Sequence, residues 1–385
     1  MDWRLVCSEC DRERDASGLP TVCECGRPWL VRYRRPPPAP GTGLADVASM
    51  WRFAPFLPLT GVETPVSLGE GRTPLLEVAR LGARTGFERL LIKDEGVNPT
   101  GSFKARGIAA AVTRARAGGA RSFTLPTAGN AGVAAAAYAA RAGLPVRVFA
   151  PRTTPATILS QIRAFGAELV LLDGHIGDCG KASRAWAAES GALDLSTLRE
   201  PYRIEGKKTM GLELAEQLGW TLPDAILYPT GGGTGLIGMW TAFAELAEAG
   251  WVKGPMPKMF TVQSEGCAPV VAGFDRGEDG CEPWPDPRTV AAGLRVPAPL
   301  GDRLMLRALR ESGGGAVAVS DESLVEAADQ ATRLEGIDVC PEGGAAVAGA
   351  RTLLERGVLR ATDRVVLFNT GAGWLYREPS QLLRP

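Results

Sequence analysis

Histidine is nearly missing from this chain, with His175 alone among 385 residues. A histidine triad or a histidine-rich catalytic metal centre therefore has almost nothing to be built from. Proton transfer must fall to lysine, a carboxylate, a hydroxyl, the substrate or water. Net charge is missing too: 43 basic residues face 43 acidic ones, so neither nucleic acid nor an anionic membrane surface is advertised as a partner. No apolar run is long enough to span a bilayer, and Met1-Asp2-Trp3-Arg4 does not begin a signal-peptide core. A soluble cytoplasmic protein is the expectation. His175 follows a strand expected over 168–173 and reads as a solvated loop residue. Cys179, Cys267, Cys281 and Cys340 show no pairing pattern and read as isolated thiols.

The other cysteines are crowded at the amino end, where Cys7-x-x-Cys10 and Cys23-x-Cys25 stand twelve residues apart. Four thiolates in two pairs can close a tetrahedral zinc site in a segment too short for a core of its own. The C-x-C half is tighter than the usual C-x-x-C. A metal-free knuckle or a redox pair are the alternatives, and disulfides are disfavoured because nothing suggests secretion. Four protein ligands leave no open position, so such a zinc would be structural.

The run Asn98-Pro99-Thr100-Gly101-Ser102-Phe103-Lys104 sets a lysine at the mouth of a helix. Leu90-Leu91-Ile92-Lys93 before it reads as a buried strand, and 105–116 after it is Ala-rich with apolar residues at helical spacing. The positive end of the peptide dipoles disfavours an ammonium there and favours the free amine, the form that attacks an aldehyde. An isolated Ser-Phe-Lys would be an ordinary surface lysine, but two glycine-rich turns accompany this one. Strand 122–126 runs into Thr127-Ala128-Gly129-Asn130-Ala131 and a helix over 132–141. Strand 225–229 runs into Thr230-Gly231-Gly232-Gly233-Thr234-Gly235 and a helix over 236–248. A strand, a bare turn and a helix N-terminus present peptide N–H groups to an anion. The second turn suits a phosphate; the first suits a carboxylate, with Asn130 able to donate to a neighbouring oxygen.

With these motifs, Tyr202-Arg203-Ile204-Glu205-Gly206-Lys207-Lys208-Thr209 and Asn369-Thr370-Gly371, the chain resembles the fold-type II pyridoxal phosphate enzymes over about 70–376, and within them the threonine synthase family. The resemblance implies that Lys104 holds pyridoxal 5'-phosphate covalently and that Asn130 contacts the pyridine 3-hydroxyl. It implies too that Gly231, Gly232, Gly233, Thr234 and Gly235 hold the cofactor phosphate and that Thr370 faces the ring nitrogen. It favours a homodimer.

The expected fold is therefore α/β of fold-type II, tryptophan synthase β-like: two doubly wound α/β domains behind a zinc-ribbon-like knuckle. The knuckle covers 1–33 and a Pro-rich linker 34–43. An N-terminal domain over 44–215 carries the lysine and the substrate, and a C-terminal domain over 216–385 holds the cofactor phosphate. A helix is possible at Leu44–Trp51. Strands near 90–93, 122–126, 145–149, 168–172, 225–229, 259–263 and 364–368 alternate with helices, which argues a parallel sheet covered on both faces. With Gly371 so near the end of the sequence, no separate regulatory domain is expected after it.

The substrate is expected to be a small amino acid. Its carboxylate would dock on Thr127, Ala128, Gly129 and Ala131. Arg203, Lys207 and Lys208 cluster where a helix over 207–218 would begin, and cations at a helix N-terminus make sense with an anion there. A phosphate ester is that anion in the family reading, with Arg203 as first contact: O-phosphohomoserine and water would give threonine and phosphate. The freed Lys104 amine would take the α-proton. Departures from the family pattern are Ala105 after the lysine, the asparagine-free glycine turn, Trp374, and Cys340-Pro341-Glu342-Gly343-Gly344. Trp374 is expected to pack the last turn or to narrow the pocket, and Glu342 to face the substrate or cap helix 343–356. The rivals are a serine or threonine ammonia-lyase, or a phosphoserine-using synthase such as cysteate synthase. From another class, a zinc-ribbon adaptor with an inactive enzyme body is opposed by balanced charge and an intact Lys104.

Overall fold

Every apolar run expected as a strand forms one in the computed structural model, which describes residues 1–377. The expected domain 216–385 thus includes 378–385, which lie outside the described residues. Ala225–Pro229 is buried at each position, the pattern of a strand covered on both faces.

These strands belong to two sheets. A six-stranded sheet runs, edge to edge, Gly315–Val319, Lys258–Ser264, Ala225–Pro229, Arg364–Asn369, Arg89–Asp94, Leu75–Glu77. All its neighbours are parallel except the last pair. A four-stranded parallel sheet runs Glu168–Leu172, Val146–Pro151, Phe123–Pro126, Leu193–Asp194. The amino end adds an antiparallel sheet of Glu13–Asp15, Trp3–Cys7 and Trp29–Tyr33.

The chain divides by contacts into two units that interleave in sequence. One holds Met1–Arg72 and Asn98–Thr209 with the two smaller sheets; the other holds Thr73–Val97 and Met210–Tyr376 with the six-stranded sheet. In the second unit Leu90, Ile92, Leu227, Val262, Val365 and Leu367 from adjacent strands join Ala345, Ala346 and Leu353 of helix Pro341–Glu355 in one apolar core.

Several helix limits differ from expectation for local reasons. No helix covers Leu44–Trp51; a 3-10 helix runs Met50–Phe56 instead, started by the Ser49 hydroxyl accepting from Trp51 N–H. Helices begin at Lys104, Asn130 and Thr234, so each of these residues lies in a first turn. The helix expected from 207 begins at Tyr202. His175 is exposed at the N-terminus of helix Ile176–Ser190, its N–H donating to Asp178.

Lys93 lies on the strand beside these motifs and is fully buried in the second unit. Its ammonium meets Glu213 Oε1 at 2.6 Å, Thr73 O at 2.7 Å and Gln217 Oε1 at 2.8 Å. Truncating one partner leaves the other charge buried and uncompensated, so Lys93→Met is expected to cost about 3–5 kcal/mol. Urea unfolding checks this, and Lys93→Met with Glu213→Leu should recover much of the loss.

Candidate active site

The turn that delivers Lys104 is strained. Thr100 and Gly101 take φ of 66° and 70°, and for a β-branched threonine the left-handed region is a true outlier. The Thr100 and Ser102 hydroxyls are buried without a hydrogen-bond partner. Lys104 is the first residue of helix Lys104–Ala117, half-buried, with Nζ 3.8 Å from the Phe103 ring centroid.

In the same unit, strand Phe123–Pro126 ends in the turn expected for a carboxylate. The Thr127 hydroxyl is tied inside it, accepting from Gly129 N–H at 3.1 Å and Gly132 N–H at 3.2 Å. Ala128, Gly129, Asn130 and Ala131 are half-exposed at the N-terminus of helix Asn130–Ala142.

Arg203, Lys207 and Lys208 are all buried in helix Tyr202–Gln217. The helix start at 202 removes the reason for expecting an external anion from helix position alone. Glu200 already supplies a carboxylate, accepting from Tyr202 N–H at 2.8 Å and Arg203 N–H at 3.2 Å. Pro201, a residue favoured at the first helical position, and Glu200 ahead of it were the available clues to that start. Arg203 Nη1 donates to Leu195 O at 2.6 Å, while its buried Nε has no hydrogen-bond partner. Lys207 Nζ donates to Phe103 O, and Lys208 Nζ to Glu205 at 2.7 Å. A Cβ at Gly107 would lie 2.8 Å from Lys207 Cε, and one at Gly206 would overlap Arg106 O. Two glycines thus let the helix of Arg203 press directly on the helix of Lys104.

The second unit holds the other motifs. Gly233 has φ of 75° and caps helix Thr234–Glu248. A Cβ at Gly231, Gly233 or Gly235 would overlap Gly293 O, Met305 Sδ or the Tyr228 hydroxyl respectively. Bare backbone is therefore the only chain that fits; Gly232 is half-exposed there and Thr234 is buried. Thr370, 6% exposed, follows Asn369 at the end of strand Arg364–Asn369. Asn369 pairs with Asp94 in the sheet register, and its Nδ2 donates to Asp94 Oδ1 at 2.8 Å. Burial raises the Asp94 carboxyl above its ordinary value.

Glu342 does not cap its helix; the Cys340 sulfur does, accepting from Gly343 N–H. Glu342 Oε1 accepts from Gly293 N–H at 2.7 Å and the Tyr376 hydroxyl at 2.8 Å, while Oε2 is buried without a partner. It thereby braces the segment against which Gly231 packs, a role with no sequence signal. Trp374 is 44% exposed instead of packing the last turn.

Comparison with known proteins decides the family. The pyridoxal-phosphate dependent enzyme family matches residues 66–371. The threonine synthase of Methanosarcina acetivorans is 36% identical over 88% of this chain and 82% of its own length. That of Methanocaldococcus jannaschii is 32% identical over 98% and 94%. The chain belongs to the threonine synthase family of pyridoxal-phosphate dependent enzymes. A maize serine racemase structure matches 81% of this chain and 90% of its own with a TM-score of 0.70 at 22% identity, which shows the shared fold.

The threonine synthase family requires a place for pyridoxal phosphate, and the residues present fit one. The turn Gly231–Gly235 is a cradle of bare backbone at the head of helix Thr234–Glu248, kept bare because packed protein atoms leave no room for a Cβ, and the lysine turn holds the buried, partnerless hydroxyls of Thr100 and Ser102. Gly233→Ala adds a Cβ at positive φ against Met305, a backbone cost of about 1–2 kcal/mol before the clash. Cofactor titration by absorbance should show affinity weakened by about tenfold or more; wild-type affinity would remove the cradle.

Burial pushes the Glu200 carboxyl up to about 7 from 4.5, against the opposing pull of Arg203, and lowers the Arg203 guanidinium. A raised carboxyl favours the fold most when neutral. Its contribution, about 3 kcal/mol, is full below pH 4.5 and is lost as pH rises to about 7. Unfolding measured across that window should lose this downward slope in Glu200→Gln.

Proposed function

We propose that the chain converts O-phosphohomoserine and water into threonine and phosphate. The match to threonine synthases over nearly their whole length carries this reading. Bound pyridoxal phosphate supplies an electron sink for bond breaking at the substrate α-carbon.

The protein's own groups do the rest. Lys104, at the positive end of its helix, holds the cofactor aldehyde between turnovers. The free amine of Lys104 would also serve as the base that takes the substrate α-proton. The amides of Thr127, Ala128, Gly129 and Ala131 would orient the substrate carboxylate, and Asn130 would donate to the pyridine 3-hydroxyl oxygen. Gly231, Gly232, Gly233, Thr234 and Gly235 bind the cofactor phosphate through backbone N–H groups. Thr370 would offer the ring nitrogen a neutral hydroxyl rather than a carboxylate, which would keep the sink weak and suit elimination and replacement over transamination. Arg203 contacts the substrate phosphate, supported by its partnerless buried Nε, with Lys207 and Lys208 supplying positive potential behind it. On this reading the lysine and substrate groups lie in domain 44–215 and the cofactor phosphate in 216–385. The protein works as a homodimer with a structural zinc on Cys7, Cys10, Cys23 and Cys25. Among the described residues no helix is long and apolar enough to cross a membrane.

The cofactor-supplied protein should be given O-phosphohomoserine, O-phosphoserine, serine and threonine separately. Threonine and phosphate from the first alone are expected; a keto acid from threonine would make it an ammonia-lyase. Lys104→Ala should lower kcat by ~10³-fold or more. Arg203→Ala should raise KM for O-phosphohomoserine by about 10- to 100-fold, the worth of a charge-assisted hydrogen bond.

A further inference from the structure

The amino-terminal cysteines take no part in the reaction above, but their sheet is fastened to a helix that does. The sulfurs of Cys7, Cys10, Cys23 and Cys25 all lie within 4.8 Å of one another, Cys7 to Cys25 at 3.4 Å and Cys10 to Cys23 at 3.7 Å. Tetrahedral zinc on four thiolates places sulfurs roughly 3.8 Å apart, whereas a disulfide needs about 2 Å. Cys10 and Cys25 are exposed, so a bound ion is within reach of a chelator. Strands Trp3–Cys7 and Trp29–Tyr33 pair in register from Cys7 with Trp29 to Trp3 with Tyr33. The cysteines close one end of this ladder; Tyr33 stands at the other.

Tyr33 reaches helix Tyr202–Gln217. Its hydroxyl lies 2.6 Å from Glu205 Oε2 and 2.9 Å from Phe56 O, and accepts from Lys208 Nζ at 3.2 Å. Lys208 bonds the same Glu205 carboxylate at 2.7 Å and stands 4.5 Å from the Tyr33 ring centroid. A second grip is the Tyr202 hydroxyl donating to Ala16 O at 3.3 Å, with the Arg114 guanidinium against both Trp3 and Tyr202. The same two turns of helix carry Arg203 and Lys207. Lys207 Nζ sits 3.9 Å from the centroid of the Phe103 ring, which Lys104 Nζ also approaches.

We propose that a thiolate-bound divalent zinc ion at the four cysteines holds Tyr33 as a positioning residue, and that Tyr33 sets the first turns of helix Tyr202–Gln217 for the phosphorylated substrate. The catalytic consequence rests on Arg203 being the phosphate contact; the coupling of knuckle to helix does not.

The full chain, purified without added metal, should carry about one zinc by elemental analysis. Stripping it with a chelator should speed hydrogen exchange of the amides of 202–208 by about tenfold, and reloading zinc should restore protection. Tyr33→Phe should keep the zinc and the bound-cofactor absorbance while raising KM for O-phosphohomoserine about tenfold with kcat little changed. A knuckle that merely adds stability would lower the melting temperature and leave KM alone. Absent zinc, with the cysteines titrating as free thiols or found as disulfides, overturns the proposal. So does unchanged exchange at 202–208 after stripping, or wild-type KM in Tyr33→Phe while Arg203→Ala raises it. If exchange responds to zinc but Arg203→Ala leaves KM untouched, the coupling stands and the phosphate role of Arg203 falls.

Discussion

No side chain can occupy the turn Gly231–Gly235 at its alternate positions, because Gly293, Met305 and the Tyr228 hydroxyl already fill the space a Cβ would need. What remains is bare backbone at the head of a helix, an arrangement that can present peptide N–H groups to an anion. Much of the second unit bears on keeping it bare. The parallel sheet brings strand Ala225–Pro229 to the turn, Glu342 braces Gly293 against Gly231, and helix Asp302–Glu311 places Met305 beneath Gly233.

Charge inside the protein obeys a related rule. Lys93 is surrounded by Glu213, Gln217 and a carbonyl, Lys208 by Glu205 and Tyr33, and the Glu200 carboxylate by helix N–H groups. Each of these groups has polar partners of its own, which makes these sites costly to alter one residue at a time. Arg203 departs from that rule through its partnerless Nε. The buried Nε atoms of Arg114 and Arg147 and the Oε2 of Glu342 share that state, so a leftover polar atom is a feature of several buried charges here.

The strands and the two glycine turns were legible because their signals are local. Uninterrupted Val, Ile and Leu runs between Gly and Pro punctuation admit few alternatives to a covered parallel strand. Boundaries set by distant or unorthodox caps were not legible. Glu200 starts its helix from outside the usual Ser, Thr, Asp or Asn set, and Cys340 caps with sulfur. Leu44–Trp51 has helical composition, yet Ser49 starts a different, tighter turn and Pro55 limits its length. Residues 73–97 precede the lysine turn in the chain but join the other unit, since strand Arg89–Asp94 pairs with Arg364–Asn369.

The chemistry was therefore written in short motifs: a lysine at a helix mouth, two bare turns and four closely spaced cysteines each need only neighbours in the chain to be recognised. Which groups meet was settled by folding. Asp94 and Asn369, 275 residues apart, become hydrogen-bonded partners because a parallel sheet sets register by backbone pairing that no local pattern encodes. Tyr33 and Glu205, 172 residues apart, meet because a small antiparallel sheet lies against a helix, a pairing that no local pattern encodes. Local periodicity fixes elements; long-range packing, whose partners are not written next to one another, fixes their company.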